Sequence, residues 1–135
     1  MRKLTINPKL CTNCHICELA CSFKQSQTLS LFKSCINTIH LVEDEITIPV
    51  TCLHCVEAAC VSACPSKAIA KNEKTGAIEI DYDLCIGCKT CVGACPFGNI
   101  LYDPQSSKTG VYKCNLCEGD PMCAKFCPTE AIVYS

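Results

Sequence analysis

The chain contains few of the large side chains that normally fill a protein core. Among its 135 residues there are four Phe, four Tyr and no Trp. A domain of this size ordinarily buries a substantial apolar core to offset the conformational entropy lost on folding. Something other than aromatic side chains must therefore occupy the centre of the molecule.

The chain also lacks the features of membrane-spanning, nucleic-acid-binding and exported proteins. No apolar run approaches the roughly 20 residues that cross a bilayer. The net charge is −1, and no basic cluster interleaved with aromatic residues indicates a nucleic-acid surface. The N-terminal MRKLTINPKL contains no apolar signal segment. We therefore expect a cytoplasmic protein with no membrane span and no nucleic-acid partner.

Cysteine, in contrast, is abundant, with 17 residues. Sixteen of them fall into four groups of four, and Cys35 lies outside these groups. The groups are Cys11, Cys14, Cys17 and Cys21; Cys52, Cys55, Cys60 and Cys64; Cys85, Cys88, Cys91 and Cys95; and Cys114, Cys117, Cys123 and Cys127. Thiols spaced this closely in a reducing cytosol serve metals more often than disulfides. The sequence therefore indicates metal centres.

The four groups are of two kinds, and the two kinds alternate along the chain. The first and third, in LTINPKLCTNCHICELAC and IEIDYDLCIGCKTCVGAC, share the spacing C-x₂-C-x₂-C-x₃-C. The second and fourth have a longer step between their second and third cysteines, and they end in CPSKAIA and CPTEAIV. This order indicates a duplicated half, in which each half contains one group of each kind.

Short alternating segments between the groups predict three antiparallel strand pairs. One hairpin is expected at Ala68–Ala70 and Ile78–Ile80, with Gly76 near its turn. A second is expected within INTIHLVEDEITIPV. The N-terminal RKLTIN and the C-terminal AIVYS form a third candidate pair, which would bring the first and fourth groups together.

The spacing C-x₂-C-x₂-C-x₃-C is that of bacterial iron–sulfur proteins, in which the fourth cysteine serves a second cluster. The first three cysteines curl the backbone around three corners of a cubane. The third and fourth lie at i and i+4 on one face of a helical turn, so that this turn can give one thiolate to each of two clusters. A following proline ends the turn. Ser22 follows Cys21 instead, which leaves the helix there free to continue.

Sixteen ligands predict four [4Fe-4S] clusters, with fourth ligands exchanged between paired groups. The second and third groups exchange because the hairpin between them completes a two-cluster ferredoxin, and the first and fourth are expected to exchange likewise. Cluster 1 is then held by Cys11, Cys14, Cys17 and Cys127, cluster 2 by Cys52, Cys55, Cys60 and Cys95, cluster 3 by Cys85, Cys88, Cys91 and Cys64, and cluster 4 by Cys114, Cys117, Cys123 and Cys21.

The predicted fold is α+β, with tandem two-cluster ferredoxin-like modules made of short β-hairpins and short helices around four cubanes. Residues 1–135 would form a single compact unit. Residues 46–103 would form the inner module, and residues 1–35 with 104–135 the outer one. The alternative chemistry is a zinc-stabilised structural protein. Zinc sites, however, usually take Cys₄ from two C-x₂-C knuckles about 15–20 residues apart, whereas three or four cysteines crowd into each run here.

Three stretches together resemble a known family: CIGCKTCVGACPFG, the CLHC–CP group and KCNLCEGDPMCAKFCPTEAI. They resemble the four-cluster ferredoxin-like electron-transfer subunits of tungsten and molybdenum oxidoreductases, CO dehydrogenase, hydrogenases and formate dehydrogenase. The resemblance covers essentially the whole chain and implies crossed ligation of the clusters. It also implies a non-catalytic role, with no catalytic residues in this chain.

The resemblance further implies two partners. One is a large catalytic oxidoreductase subunit, most readily of the tungsten or molybdenum aldehyde oxidoreductase type. The other is a ferredoxin, a flavoprotein or another redox acceptor. A freely diffusing polyferredoxin without a dedicated partner is the alternative within the same chemistry.

Five residues near the ligand runs have expected roles of their own. We expect Cys35 to be a buried structural thiol. His15 and His54 are expected to pack or hydrogen-bond around the clusters rather than ligate iron, because every ligand position is already filled. Lys89 and Lys113 flank ligands and could raise a local reduction potential, but solvated surface lysines are the favoured interpretation.

Overall fold

The computed structural model describes residues 2–105 and 108–135. Its strands in these ranges are β1 (Leu4–Ile6), β2 (Asn37–Leu41), β3 (Ile46–Val50), β4 (Ile69–Lys71), β5 (Ile78–Ile80), β6 (Ile100–Tyr102), β7 (Val111–Lys113) and β8 (Ile132–Tyr134). Its α-helices are α1 (Ile16–Ser26), α2 (Ala59–Ala63), α3 (Thr90–Ala94) and α4 (Met122–Phe126). Short 3₁₀ turns cover Pro8–Leu10, Leu31–Lys33 and Leu116–Gly119. These short helices and small sheets confirm the α+β class.

Within the described residues, the strands pair antiparallel in four two-stranded sheets, β1 with β8, β2 with β3, β4 with β5 and β6 with β7. In the first sheet Leu4 lies opposite Tyr134, and in the third Ile69 lies opposite Ile80. The three strand pairs expected from the sequence are therefore confirmed. The pair β6–β7, which places Ile100 opposite Lys113, was not predicted.

The helices end at the positions that the Cys-Pro pairs predict. Helices α2, α3 and α4 are five residues long, and each is followed directly by a Cys-Pro pair. Proline restricts the residue before it to extended backbone, which stops the helix at the cysteine. Helix α1 has no such proline and continues past Cys21 to Ser26, as expected. In the described part of the chain, no helix is long and apolar enough to cross a membrane.

The elements pack around two cores. Helix α1 packs on α4 and helix α2 packs on α3, which brings together the first and fourth cysteine groups and, separately, the second and third. The first core contains Cys17, Cys21, Cys35, Ile36, Ala77, Cys114, Leu116, Cys123 and Ile132. The second core contains Ala58, Cys60, Ile69, Ile78, Cys91, Ile100 and Val111. Thiols thus occupy much of the interior that aromatic side chains would ordinarily fill.

Candidate metal centres

The first C-x₂-C step of every group bends sharply at its second intervening residue. That residue has a positive φ in all four groups: Asn13 (60°), His54 (47°), Gly87 (73°) and Leu116 (56°). The bend turns backbone N–H groups toward the cysteine sulfurs. The His54 N–H lies 3.4 Å from Cys52 Sγ, and the Leu116 N–H donates over the same distance to Cys114 Sγ. N–H donors around a thiolate stabilise its negative charge.

A second recurring turn follows each Cys-Pro pair. Three residues after the cysteine the backbone enters the left-handed region, at Lys67 (56°), Gly98 (67°) and Glu130 (57°). The next N–H then points back at the cysteine sulfur. Ala68 N–H donates to Cys64 Sγ over 3.3 Å, and Asn99 N–H to Cys95 Sγ over 3.5 Å. The Cys-Pro sequence therefore builds a small N–H pocket around the fourth cysteine of its group.

Cys21 lacks this turn because its helix continues, and a distant segment supplies the N–H donor to its sulfur instead. The backbone N–H of Cys35 donates to Cys21 Sγ over 3.3 Å. Cys35 is 3% exposed, so the expectation of a buried thiol is confirmed. Its contact with Cys21 was missed, because no local motif links two residues fourteen positions apart.

Three cavities are each lined by four cysteines drawn from two groups. One cavity is lined by Cys52, Cys55, Cys60 and Cys95. A second is lined by Cys11, Cys14, Cys17 and Cys127, and a third by Cys64, Cys85, Cys88 and Cys91. In each, three cysteines come from one group and the fourth comes from the group whose helix packs against it.

The remaining four cysteines also lie together. Cys21, Cys114 and Cys123 belong to the first core, and Cys117 is buried as well. Burial raises the pKa of the Cys123 thiol, and charge repulsion from Cys114, Cys21 and Cys117 raises it further. Cys123 is therefore within electrostatic reach of all three.

The sulfur atoms are not arranged around a single metal ion. Among residues 2–105 and 108–135, no set of three or more His, Cys, Asp or Glu side chains converges closely enough to bind one ion. A tetrahedral zinc site requires such convergence, since its Zn–S distances are about 2.3 Å. A cubane holds its ligands farther apart, so four-cysteine cavities without close convergence fit an iron–sulfur cluster better than zinc.

Burial keeps several of these thiols from ionising without a metal. It raises the pKa of Cys17 to about 12 and that of Cys114 to about 11. Both would be protonated at neutral pH, and coordination to a metal cation would displace the proton. Cys21 differs, because a hydrogen bond from the Cys35 side chain lowers its pKa to about 6.

Two family models match this chain. The model described as a 4Fe-4S dicluster domain matches residues 43–135, and the one described as a 4Fe-4S binding domain matches residues 8–24. The chain belongs to the 4Fe-4S dicluster family. The prediction of an iron–sulfur, ferredoxin-like electron-transfer protein is thereby confirmed.

Relatives of this 4Fe-4S dicluster protein are named as redox subunits. The polyferredoxin-like subunit of the aliphatic sulfonate oxidoreductase of Pyrococcus furiosus is 37% identical over 124 residues, which are 92% of this chain and 70% of that protein. The thiosulfate reductase electron transfer subunit PhsB of Salmonella typhi is 34% identical over 140 aligned residues, covering 93% of this chain and 71% of PhsB.

A solved structure shares the fold. It is the active site complex BamBC of benzoyl coenzyme A reductase as isolated, in which one chain matches with a TM-score of 0.58. The match covers 100% of this chain and 76% of that chain at 20% sequence identity. At this identity the likeness establishes the fold alone.

The 4Fe-4S dicluster protein buries Lys113, the residue before Cys114, contrary to expectation. Lys113 is only 5% exposed, and its Nζ donates to the carbonyl oxygens of Ile78 and Cys114, the latter over 2.9 Å. The favoured interpretation as a solvated lysine was therefore wrong for Lys113, because the unpredicted strand β7 carries it into the interior. Lys89 is exposed, and its Nζ lies 3.8 Å from the centre of the Tyr102 ring.

A buried carboxylate near the first ligand run was also missed. Glu18 lies on α1 between Cys17 and Cys21 and is 4% exposed. Its carboxylate accepts hydrogen bonds from the backbone N–H and, over 2.7 Å, the hydroxyl of Thr38. His15 Nδ1 lies 3.3 Å from the same carboxylate. The sequence signal was a charged residue between Cys17 and Cys21 on a predicted helical turn.

His54 hydrogen-bonds within the interior, as expected. Its Nδ1 accepts from the backbone N–H of Ile78 over 2.9 Å, and burial lowers the pKa of the imidazole to about 4. The ring is therefore neutral at pH 7 and carries its proton on Nε2. Within the described residues, Nε2 is buried and has no hydrogen-bond partner.

Proposed function

We propose that this chain is the electron-transfer subunit of an oxidoreductase complex and holds four [4Fe-4S] clusters. It would relay single electrons between a catalytic subunit and a second redox partner, a ferredoxin, flavoprotein or other acceptor. The observation that carries the proposal is the set of three cavities, each lined by four cysteines from two packed groups. The favoured catalytic partner is a tungsten or molybdenum enzyme of the aldehyde oxidoreductase type, or else a CO dehydrogenase, hydrogenase or formate dehydrogenase.

We assign the ligands as predicted, with fourth cysteines exchanged within each packed pair of groups. Clusters 1, 2 and 3 correspond to the three cavities, and cluster 4 corresponds to the buried set of Cys114, Cys117, Cys123 and Cys21. The division into an inner and an outer module follows from the same pairing. The packing of α1 on α4 and of α2 on α3 supports both proposals.

Contacts between the two cores support an order for the four proposed sites. Cys52 of cluster 2 packs against the first core, which contains Cys114 of cluster 4. Repulsion from Cys52 also contributes to the raised pKa of Cys114, after burial and repulsion from Cys21. We therefore propose the row 1–4–2–3. The exposed ligands Cys14 and Cys88 belong to clusters 1 and 3, at the two ends where partners would dock.

The chain's own residues provide position, hydrogen bonds and charge. A bound cubane supplies a one-electron couple whose added electron is spread over several iron atoms. Backbone N–H groups at the recurring turns stabilise the ligand thiolates. The buried surroundings of Cys21, Cys114, Cys117 and Cys123 exclude water, which strengthens the influence of nearby charges on that site. The relative PhsB is named as an electron transfer subunit, and this name supports an electron-transfer role here.

Metal analysis of the native protein tests the proposal. Anaerobically purified material should contain about sixteen iron atoms and about sixteen sulfides per chain. It should be brown and should bleach on addition of dithionite. A larger protein should accompany it in native mass measurements. A colourless zinc protein would exclude electron transfer, while a brown chain that purifies alone would support the freely diffusing polyferredoxin instead.

The buried carboxylate of Glu18 gives a test specific to cluster 1. Glu18→Gln removes a negative charge next to Cys17, and less negative surroundings favour the reduced, more negative cluster. We expect one midpoint potential to rise by about 59 mV, a tenfold change in a one-electron equilibrium. An anaerobic redox titration monitored by EPR measures it. The matched control is Glu57→Gln, an exposed carboxylate within the second group, which should leave all four potentials nearly unchanged.

A further inference from the structure

Lys113 is held inside the protein by contacts from two elements. It is the last residue of β7 and precedes Cys114. Its ammonium donates to the Ile78 carbonyl oxygen on β5 and to the Cys114 carbonyl oxygen. Carbonyl oxygens are the negative ends of the peptide dipoles, so both bonds hold the ammonium in place. An ammonium has three N–H donors, and these two bonds use two of them.

The ammonium stands between two of the proposed clusters. Lys113 lines the cavity of Cys52, Cys55, Cys60 and Cys95, which we assign to cluster 2. It also precedes Cys114, a proposed ligand of cluster 4. Its Nζ donates to the carbonyl oxygen of Cys114 over 2.9 Å. One charge therefore lies beside proposed ligands of two different sites.

A buried positive charge in this position has a definite electrostatic consequence. An oxidised cluster with four thiolates carries about −2, and one added electron makes it more negative. A fixed ammonium stabilises the more negative form, and its influence is large where water is excluded. Lys89 also lies next to a proposed ligand, Cys88, but it is exposed, and solvent and salt screen its charge.

We propose that the Lys113 ammonium raises the reduction potentials of clusters 2 and 4, the two central sites of the row. In each transfer one site gains a single electron and its neighbour loses one, so no further reactant is needed. An electron that enters at either exposed end would therefore have its lowest free energy on one of the two central clusters. This inference rests on the proposed ligand sets and cluster order.

Neutral replacements of Lys113 test the proposal in the complete, cluster-loaded protein. Lys113→Met preserves the length of the side chain, and Lys113→Gln preserves an N–H donor for the carbonyl oxygens. We expect two of the four midpoint potentials to fall, each by at least about tenfold in the reduction equilibrium, which is 59 mV for one electron. EPR-monitored titration with dithionite as reductant measures all four. Lys74→Met, at an exposed lysine between β4 and β5, is the matched control and should leave the potentials close to those of the native chain.

Each outcome of this experiment either supports or overturns the proposed effect of Lys113 on the two central clusters. Unchanged potentials in a fully loaded Lys113→Met or Lys113→Gln protein would overturn the proposal while leaving the electron-transfer function intact. Loss of iron from both neutral variants would assign Lys113 to holding the fold, and would also overturn it. A native chain that lacks about sixteen iron atoms would instead refute the underlying function, before any variant is compared.

Discussion

Cys21→Ala should remove about four of the iron atoms held by the chain, and the cluster lost should be cluster 4. In sequence Cys21 belongs to the run that wraps cluster 1. In the fold it lies in the first core with Cys114 and Cys123. The continuation of α1 past Cys21 and the packing of α1 on α4 place its thiol beside the fourth group. Iron analysis and the EPR spectrum of the reduced protein measure the loss.

Two matched variants make this test specific. Cys35→Ala removes a buried thiol whose side chain hydrogen-bonds to Cys21 but which belongs to no proposed ligand set, so the variant should retain about sixteen iron atoms. Cys17→Ala should remove the spectral signature of cluster 1 instead. If Cys21→Ala and Cys17→Ala abolish the same signature, ligation is not crossed between the first and fourth groups. An equal loss of iron in Cys35→Ala would show that Cys35 is itself a ligand.

Removing iron from the native protein should unfold most of the chain. In the described residues, eight of the nineteen buried apolar residues are cysteines, and the largest side chains buried to below 2% exposure are Ile36, Ile132 and Val111. Most strands are only three residues long, and isolated two-stranded pairs of this size are not stable in water. The clusters would therefore supply the binding free energy on which folding depends.

Circular dichroism during anaerobic chelation measures this coupling. We expect the far-ultraviolet signal and the visible absorbance of the clusters to disappear together, and to return when iron and sulfide are restored. The matched control is the same chelator added under conditions in which the visible absorbance is retained, where the far-ultraviolet signal should not change. A metal-free chain that keeps its native circular dichroism would show that the polypeptide folds without its cofactors.

Local patterns in the sequence determined the chemistry of this protein. The close spacing of the cysteines, their alternation in two kinds of group and the Cys-Pro pairs predicted iron–sulfur chemistry, and the family match bears that out. The sequence also predicted the hairpin of β4 and β5 and the pairing of β1 with β8, because short alternating segments lie at equivalent positions in the repeat. In each case the signal lies within a few residues of the feature it predicts.

Only the tertiary structure decided which charges surround the candidate sites. The short alternating segment that ends at Lys113 is equally compatible with an exposed lysine. The burial of this side chain depends on its contact with β5, 35 residues earlier. The contact of Glu18 with Thr38 spans twenty residues, and that of Cys35 with Cys21 spans fourteen. Three proposed ligands of each cluster are set by covalent spacing along the chain, whereas the fourth ligand and the electric field around the site depend on side chains that meet only after the groups have packed.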